Sequence, residues 1–273
     1  MRGKLLLFGD HAVVYGRPCL AAAINRYVTV TPVEKIGQET KFVAATRKLF
    51  EKKYGRVEFG FNIKAFDSRY GLGSSAAVTA AVAQAMFKLK KIKVSKKELF
   101  DFCYQVVKRV QGVGSGFDVA AAIYGGVIYF VGAGKKIVRL PVNQLPLVVG
   151  YSGRKAETVA MVRLAAAKIT PQFLAWSEAI VNQARLALER QNWPAAGRLM
   201  THNQAILAKL GVSTPKLDQM IRAAAGAGAY GAKLSGAGGG DCMIVLVDKK
   251  KTAAVKKAIE AAGGEVIRVR LAL

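Results

Sequence analysis

Apolar positions along the chain fall into short solid runs and longer helical stripes, and the alternation between the two predicts the elements. Lys4–Phe8 is a strand-like apolar run broken by Gly9-Asp10-His11, Tyr27–Val33 is β-branched, and Ile63–Phe66 reads as another short strand. Ala76–Leu89 is rich in alanine and free of Gly and Pro, which predicts a helix opening at Gly73-Ser74-Ser75. Ser95 followed by Glu98 forms a capping-box signal for a second helix over Lys96–Arg109. The glycine-rich turn Gly112-Val113-Gly114-Ser115-Gly116 then leads to a helix over Phe117–Tyr124 and a strand over Gly126–Val131. Pro141–Pro146 reads as a hinge dividing the chain into 1–145 and 146–273. Beyond it come a strand over Leu147–Tyr151 and helical periodicity near 156–168, 172–191, 194–210 and 215–226. Lys233–Ser235 ends a strand, Gly236–Gly240 is a loop, and Cys242–Val247 is a strand. A helix over 251–262 and a strand over 265–271 close the chain. Strands and helices mix without regular βαβ alternation, so the fold class is α+β rather than a doubly wound sheet.

Composition narrows the function classes. With 52% hydrophobic and 22% charged residues in 273, the chain is globular and long enough for a substantial core. No apolar run approaches the roughly 20 residues of a membrane span, and no signal-peptide pattern opens the sequence, so a cytoplasmic protein is expected. Cys19, Cys103 and Cys242 are widely spaced and odd in number, which argues for buried reduced thiols rather than a disulfide framework or zinc site. The net charge of +25 changes the picture most. Its lysines lie in dispersed patches, Lys88 to Lys97 and Lys249 to Lys257, without aromatic interleaving or a nucleic-acid motif. A positive field of this kind suits an enzyme with anionic small-molecule substrates, and nucleic acid is not expected as a partner.

The densest candidate chemistry is Gly71-Leu72-Gly73-Ser74-Ser75-Ala76-Ala77 at a helix start. Glycines let backbone approach phosphate oxygens, and the first free helix N–H groups and the helix dipole favour an anion there. The serine hydroxyls can donate to phosphate or ligate Mg²⁺. An ordinary Gly-Ser helix cap is the plain alternative, but the run is longer than a cap requires. It matches neither GxxxxGK[ST] nor GxGxxG, which sets aside P-loop and Rossmann readings.

In family order, Gly3-Lys4 with Gly9-Asp10-His11-Ala12-Val13-Val14-Tyr15-Gly16, the GLGSSAA loop, and Lys233-Leu234-Ser235-Gly236-Ala237-Gly238-Gly239-Gly240-Asp241-Cys242 resemble the three motifs of the GHMP kinases. That family comprises galacto-, homoserine, mevalonate and phosphomevalonate kinases. The resemblance covers nearly the whole chain and is greatest to mevalonate kinases, with Gly197–Ser213 adding to it. It implies a two-domain fold, ribosomal S5 domain 2-like in 1–145 and ferredoxin-like in 146–273. The activity it implies is ATP- and Mg²⁺-dependent phosphorylation of a small acid, the C5 hydroxyl of mevalonate, and it leaves a homodimer open. By the same resemblance Asp118 is the catalytic carboxylate and Lys4 its cationic partner. Gly71, Leu72, Gly73, Ser74, Ser75 and Ala76 bind ATP, with Ser75 at the metal. Asp10, His11, Thr158, Gly236, Ala237 and Gly238 serve the acceptor. Taken singly, Lys4 reads as a solvated lysine, Asp118 as a helix cap and His11 as a structural histidine. The pattern departs from mevalonate kinases at Asp10, where Glu is usual, and at Val107, where a metal-binding Glu is usual. Gly114–Ala121 and Ser235–Cys242 resemble phosphomevalonate kinases instead, which keeps that activity as the alternative.

Overall fold

In the computed structural model, which describes residues 1–273, the first apolar run becomes strand β1 (Arg2–Phe8), and its period-2 alternation decides the architecture. Leu6 faces one core, whereas Leu5 and Leu7 face a second core on the opposite side. Strand β2 (Pro18–Tyr27) divides its side chains the same way, Cys19 and Ala21 to the first core, Leu20, Ala22 and Ile24 to the second. With β5 (Val127–Val131) and β6 (Lys136–Arg139) they form an antiparallel sheet of order β1-β2-β5-β6. A sheet buried on both faces needs cover on both.

Helices α1 (Lys41–Tyr54), α2 (Ser74–Leu89), α3 (Lys96–Gln111) and α4 (Phe117–Tyr124) cover the first face, and the antiparallel pair β3 (Thr29–Val33) and β4 (Gly60–Lys64), joined through α1, flanks them. The capping box of α3 is formed in both directions, Ser95 with Glu98. The second face packs on the rest of the chain. A second antiparallel sheet has the order β10-β7-β9-β8, built from β7 (Leu147–Tyr151), β8 (Gly231–Ser235), β9 (Cys242–Leu246) and β10 (Glu265–Ile267). Around it run α5 (Thr158–Ala166), α6 (Pro171–Glu189), α7 (Trp193–Leu210), α8 (Pro215–Gly226) and α9 (Thr252–Ala261). Proline stands in the first turn of α6, α7 and α8, and Thr170, Asn192 and Thr214 cap them by accepting from Phe173, Ala195 and Leu217 N–H. No helix is long and apolar enough to cross a membrane.

Leu5, Leu7, Val149, Ile244, Val181 and Met200 share one apolar layer, so the two sheets are bound through a common core. Leu140 and Val142, beside the proline-bounded connection, are buried in it as well. The closing strand is shorter than the sequence predicts, because the tail leaves β10 after Ile267 and returns to β2. There Asn25 N–H donates to the Arg270 carbonyl at 3.0 Å, and Ala272 N–H donates to that of Ala23 at 2.9 Å. Strand β2, helix α1 and strand β6 had no counterpart in the sequence expectations.

Candidate active site

Where the two sheets and α2 meet, a cleft of about 460 Å³ opens. Lys4, His11, Gly71, Gly73, Ser74, Ser75, Ala76, Asp118, Thr158, Gly236 and Ala237 all line it, although they come from β1, the α2 and α4 starts, the α5 start and the loop after β8. Three of the expected residues stand behind the wall instead. Leu72 is buried in the apolar layer, and Gly238 is packed against the Val212 backbone. Asp10 is 1% exposed and reaches the cleft only through its neighbours.

The loop before α2 is shaped by backbone conformation. Gly71 (φ 68°) and Gly73 (φ 81°) are left-handed, and a Cβ on Gly73 would lie 2.9 Å from Lys4 Cγ. No side chain caps α2, and the N–H groups of Ser74, Ser75 and Ala76 form no hydrogen bond within the protein. Free amides at the positive end of a long helix, beside hydroxyls and an ammonium, make an anion cradle. Lys4 N–H donates to the Leu72 carbonyl at 2.9 Å and its Nζ to the Gly71 carbonyl at 2.9 Å, which pins β1 to the loop.

Asp118 sits in the first turn of α4, half-buried, where its Oδ1 accepts from Val119 N–H at 3.0 Å. Lys4 and Asp118 share the cleft but form no ion pair. The ammonium lies instead 5.4 Å from the Phe117 ring centroid. The carboxylate is therefore free to meet a substrate proton, and the lysine is held by the loop.

On the opposite wall His11 adopts φ 60° and is buried, with Nε2 at 3.0 Å from the Ala237 carbonyl. A carbonyl only accepts, so Nε2 carries the hydrogen. Burial lowers the pKa of this imidazole from its ordinary 6.5, while Asp10 and the Ala237 bond partly restore it. Behind it Asp10 and Lys233 form an ion pair at 2.7 Å with both side chains fully buried. Burial holds the Lys233 ammonium below its usual range, and Asp10 counteracts this. Lys233 also donates to the Leu234 carbonyl, and Asp10 Oδ1 accepts from Gly236 N–H at 2.9 Å. Ser235 Oγ accepts from Leu6 N–H and donates to its carbonyl, each at 3.0 Å, so the glycine loop is locked to β1. Asp10 thus shapes this wall of the cleft from behind.

Further polar residues on the wall that the sequence did not single out for the site include Asp241, Lys41 and Gln111, and Lys155 lines it as well. Asp241 has φ 53°, a conformation that Asp tolerates better than most residues and that a glycine-rich neighbourhood hints at. Val107 also lines the cleft and offers no ligand atom. No cluster of three His, Cys, Asp or Glu side chains suitable for a metal is present. Asp118 and the hydroxyls of Ser74 and Ser75 are hard oxygen donors, and they suit a Mg²⁺ ion that takes most of its ligands from water and phosphate.

Comparison with known proteins gives the family and the fold. The family model described as GHMP kinases N terminal domain matches residues 41–126, and that described as GHMP kinases C terminal matches 184–265. A mevalonate kinase of Pyrococcus abyssi is 34% identical over 98% of this chain and 93% of its own. The crystal structure of the Methanococcus jannaschii mevalonate kinase superposes with a TM-score of 0.83 at 25% identity, covering 99% of this chain and 96% of that one. The Streptococcus pneumoniae phosphomevalonate kinase gives 0.88 at 23% identity, covering 99% and 98%, a likeness of fold.

Proposed function

The chain belongs to the GHMP kinase family, and from that premise we propose that it transfers the γ-phosphoryl group of ATP to the C5 hydroxyl of mevalonate, giving 5-phosphomevalonate and ADP. The observation that carries the chemistry is the presence of Asp118, a carboxylate with no cationic partner, in the same cleft as the three free amides of Ser74–Ala76. The acceptor follows from the likeness to mevalonate kinases over nearly the full chain.

The division of labour follows from the walls. The amides and hydroxyls at the α2 start take the phosphate oxygens, where they cost no reorganisation because the loop already holds them in place. Asp118 accepts the proton of the attacking hydroxyl as the new P–O bond forms. Lys4, fixed by Gly71, places positive charge where negative charge accumulates on the transferred group. The His11 ring, held by its Nε2–H on the Ala237 carbonyl, and the Thr158 hydroxyl line the other side of the cleft, and Lys155 favours the acceptor's carboxylate. Ser75 would hold Mg²⁺ together with phosphate oxygens and water, and the ion would draw charge from those oxygens.

The loop Ser235–Cys242 resembles that of phosphomevalonate kinases, so 5-phosphomevalonate is the alternative acceptor. A phosphate oxygen needs no general base, so Asp118 would then act by electrostatics alone. ADP release measured with mevalonate, 5-phosphomevalonate, galactose and homoserine separates the readings. Turnover is expected with mevalonate, and turnover with 5-phosphomevalonate in its place would overturn the acceptor assignment.

A further inference from the structure

Asp241 lies where the turn after β7 meets the loop before α2. Its main chain is laced into the turn after β7: Asp241 N–H donates to the Arg154 carbonyl at 2.7 Å, and Ser152 N–H donates to the Asp241 carbonyl at 2.9 Å. Its Oδ1 accepts from Ala156 N–H at 2.9 Å, two residues before Thr158 opens α5. Its Oδ2 forms no hydrogen bond within the protein and lies over Gly71, in the space a side chain at that position would occupy. Gly71 in turn accepts from Lys4 Nζ at 2.9 Å. The acceptor-side turn, Asp241, the phosphate loop and Lys4 are therefore in series.

The surroundings of the carboxyl group act on it in opposite directions. The carboxylate is partly buried, which raises its pKa, and the Ala156 N–H, Lys4 and Lys155 act to lower it. It makes no ion pair with either lysine, so its hold on the turn is the Ala156 hydrogen bond rather than the neutralisation of a cation.

We propose that Asp241 is a positioning residue: its carboxyl group, hydrogen-bonded to the Ser152–Ala156 turn and packed on Gly71, sets the spacing between the donor amides and the acceptor wall before substrate enters. This rests on the kinase reading of the cleft. The tie explains why Gly71 has no side chain, because a Cβ there would collide with the carboxyl group. It also explains an aspartate at φ 53°, since this backbone directs the side chain from the end of the glycine loop onto both partners.

The test compares Asp241→Gly, which accepts the backbone conformation but deletes the tie, with Asp241→Asn, whose amide oxygen can take the Ala156 bond. Asp241→Gly should lower kcat about 10- to 100-fold, the scale of a misplaced reacting group, with KM for ATP within about threefold. Amide hydrogen exchange at Ala156 should accelerate at least about tenfold in Asp241→Gly and remain near wild type in Asp241→Asn. Asp241→Asn should keep kcat within about threefold. Unchanged kcat in Asp241→Gly, or equal losses in both variants, would overturn the proposal. The exchange measurement needs no acceptor: if the wild type left mevalonate untouched, the acceptor reading would fall, while the Ala156 amide would still report on the tie. Unaltered exchange there in Asp241→Gly would sink the tie itself.

Discussion

Lys233 and Asp10 illustrate how far a single pair can shape a site it does not enter. Both side chains are fully buried at 2.7 Å, and they stand between the strand under His11 and the strand that delivers the glycine loop. Desolvating two charges offsets much of their attraction, so the pair adds little net stability, but removing one partner strands the other. Lys233→Met should therefore cost about 3–5 kcal/mol in urea denaturation, and Asp10→Asn combined with Lys233→Met should cost clearly less than the sum of the two single changes. Additive losses would contradict the coupling. At this scale the sequence was informative where the motif itself lines the cleft, as at Lys4, His11, Ser74, Ser75 and Asp118. It was not informative for Asp10, which reads as a substrate contact but points at Gly236 and Lys233. The structural role of Asp241 was equally hidden, since its partner Gly71 is far away in the chain and the contact exists only once the sheets have packed.

Among the elements, the start of α2 carries the largest functional load. Its three free amides depend on a left-handed Gly73 that also lies against the Lys4 side chain. Gly73→Ala would strain the backbone by about 1 kcal/mol and push Lys4 from the Gly71 carbonyl. Nucleotide affinity measured by calorimetry should fall about tenfold or more, with the thermal midpoint little changed. An unchanged nucleotide Kd would show that the amides are not the phosphate site. Helices α2, α3 and α4 were legible because alanine content, a capping box and a glycine-rich turn are local signals. Strand β2 was not, because Ala21-Ala22-Ala23 has weak strand propensity, and those small side chains are set by a sheet packed on both faces. Helix α1 was masked by its lysines, although Phe42, Val43, Leu49 and Phe50 do form a buried stripe. The last strand was read too long because its apolar residues continue into the tail, which serves β2 instead.

For the whole molecule, the charge of +25 is the property with the broadest consequence. Lys88, Lys90, Lys91, Lys93, Lys96 and Lys97 are all exposed, and among them only Lys97 has a carboxylate partner, Asp101. ATP and an organic acid both approach such a surface down a favourable potential. The value of kcat/KM for ATP should accordingly fall severalfold as salt rises from about 0.05 to 0.5 M, with kcat nearly constant, because screening shortens the range of attraction. A flat salt profile would show that the surface charge plays no part in substrate capture. The fold class followed from the order of strands and helices alone, whereas the shared core between the two sheets required the alternation in β1 and β2 to be seen in place.

The central claim is a phosphoryl transfer to a hydroxyl in the cleft between Asp118 and the α2 amides, and ³¹P NMR of the products tests it most directly. Incubated with MgATP and mevalonate, the protein should yield ADP and a phosphate monoester on the C5 oxygen in equal amounts, and Asp118→Asn should form it about 10²–10⁴-fold more slowly. No monoester from mevalonate, with 5-phosphomevalonate converted instead to a diphosphate, would contradict the account.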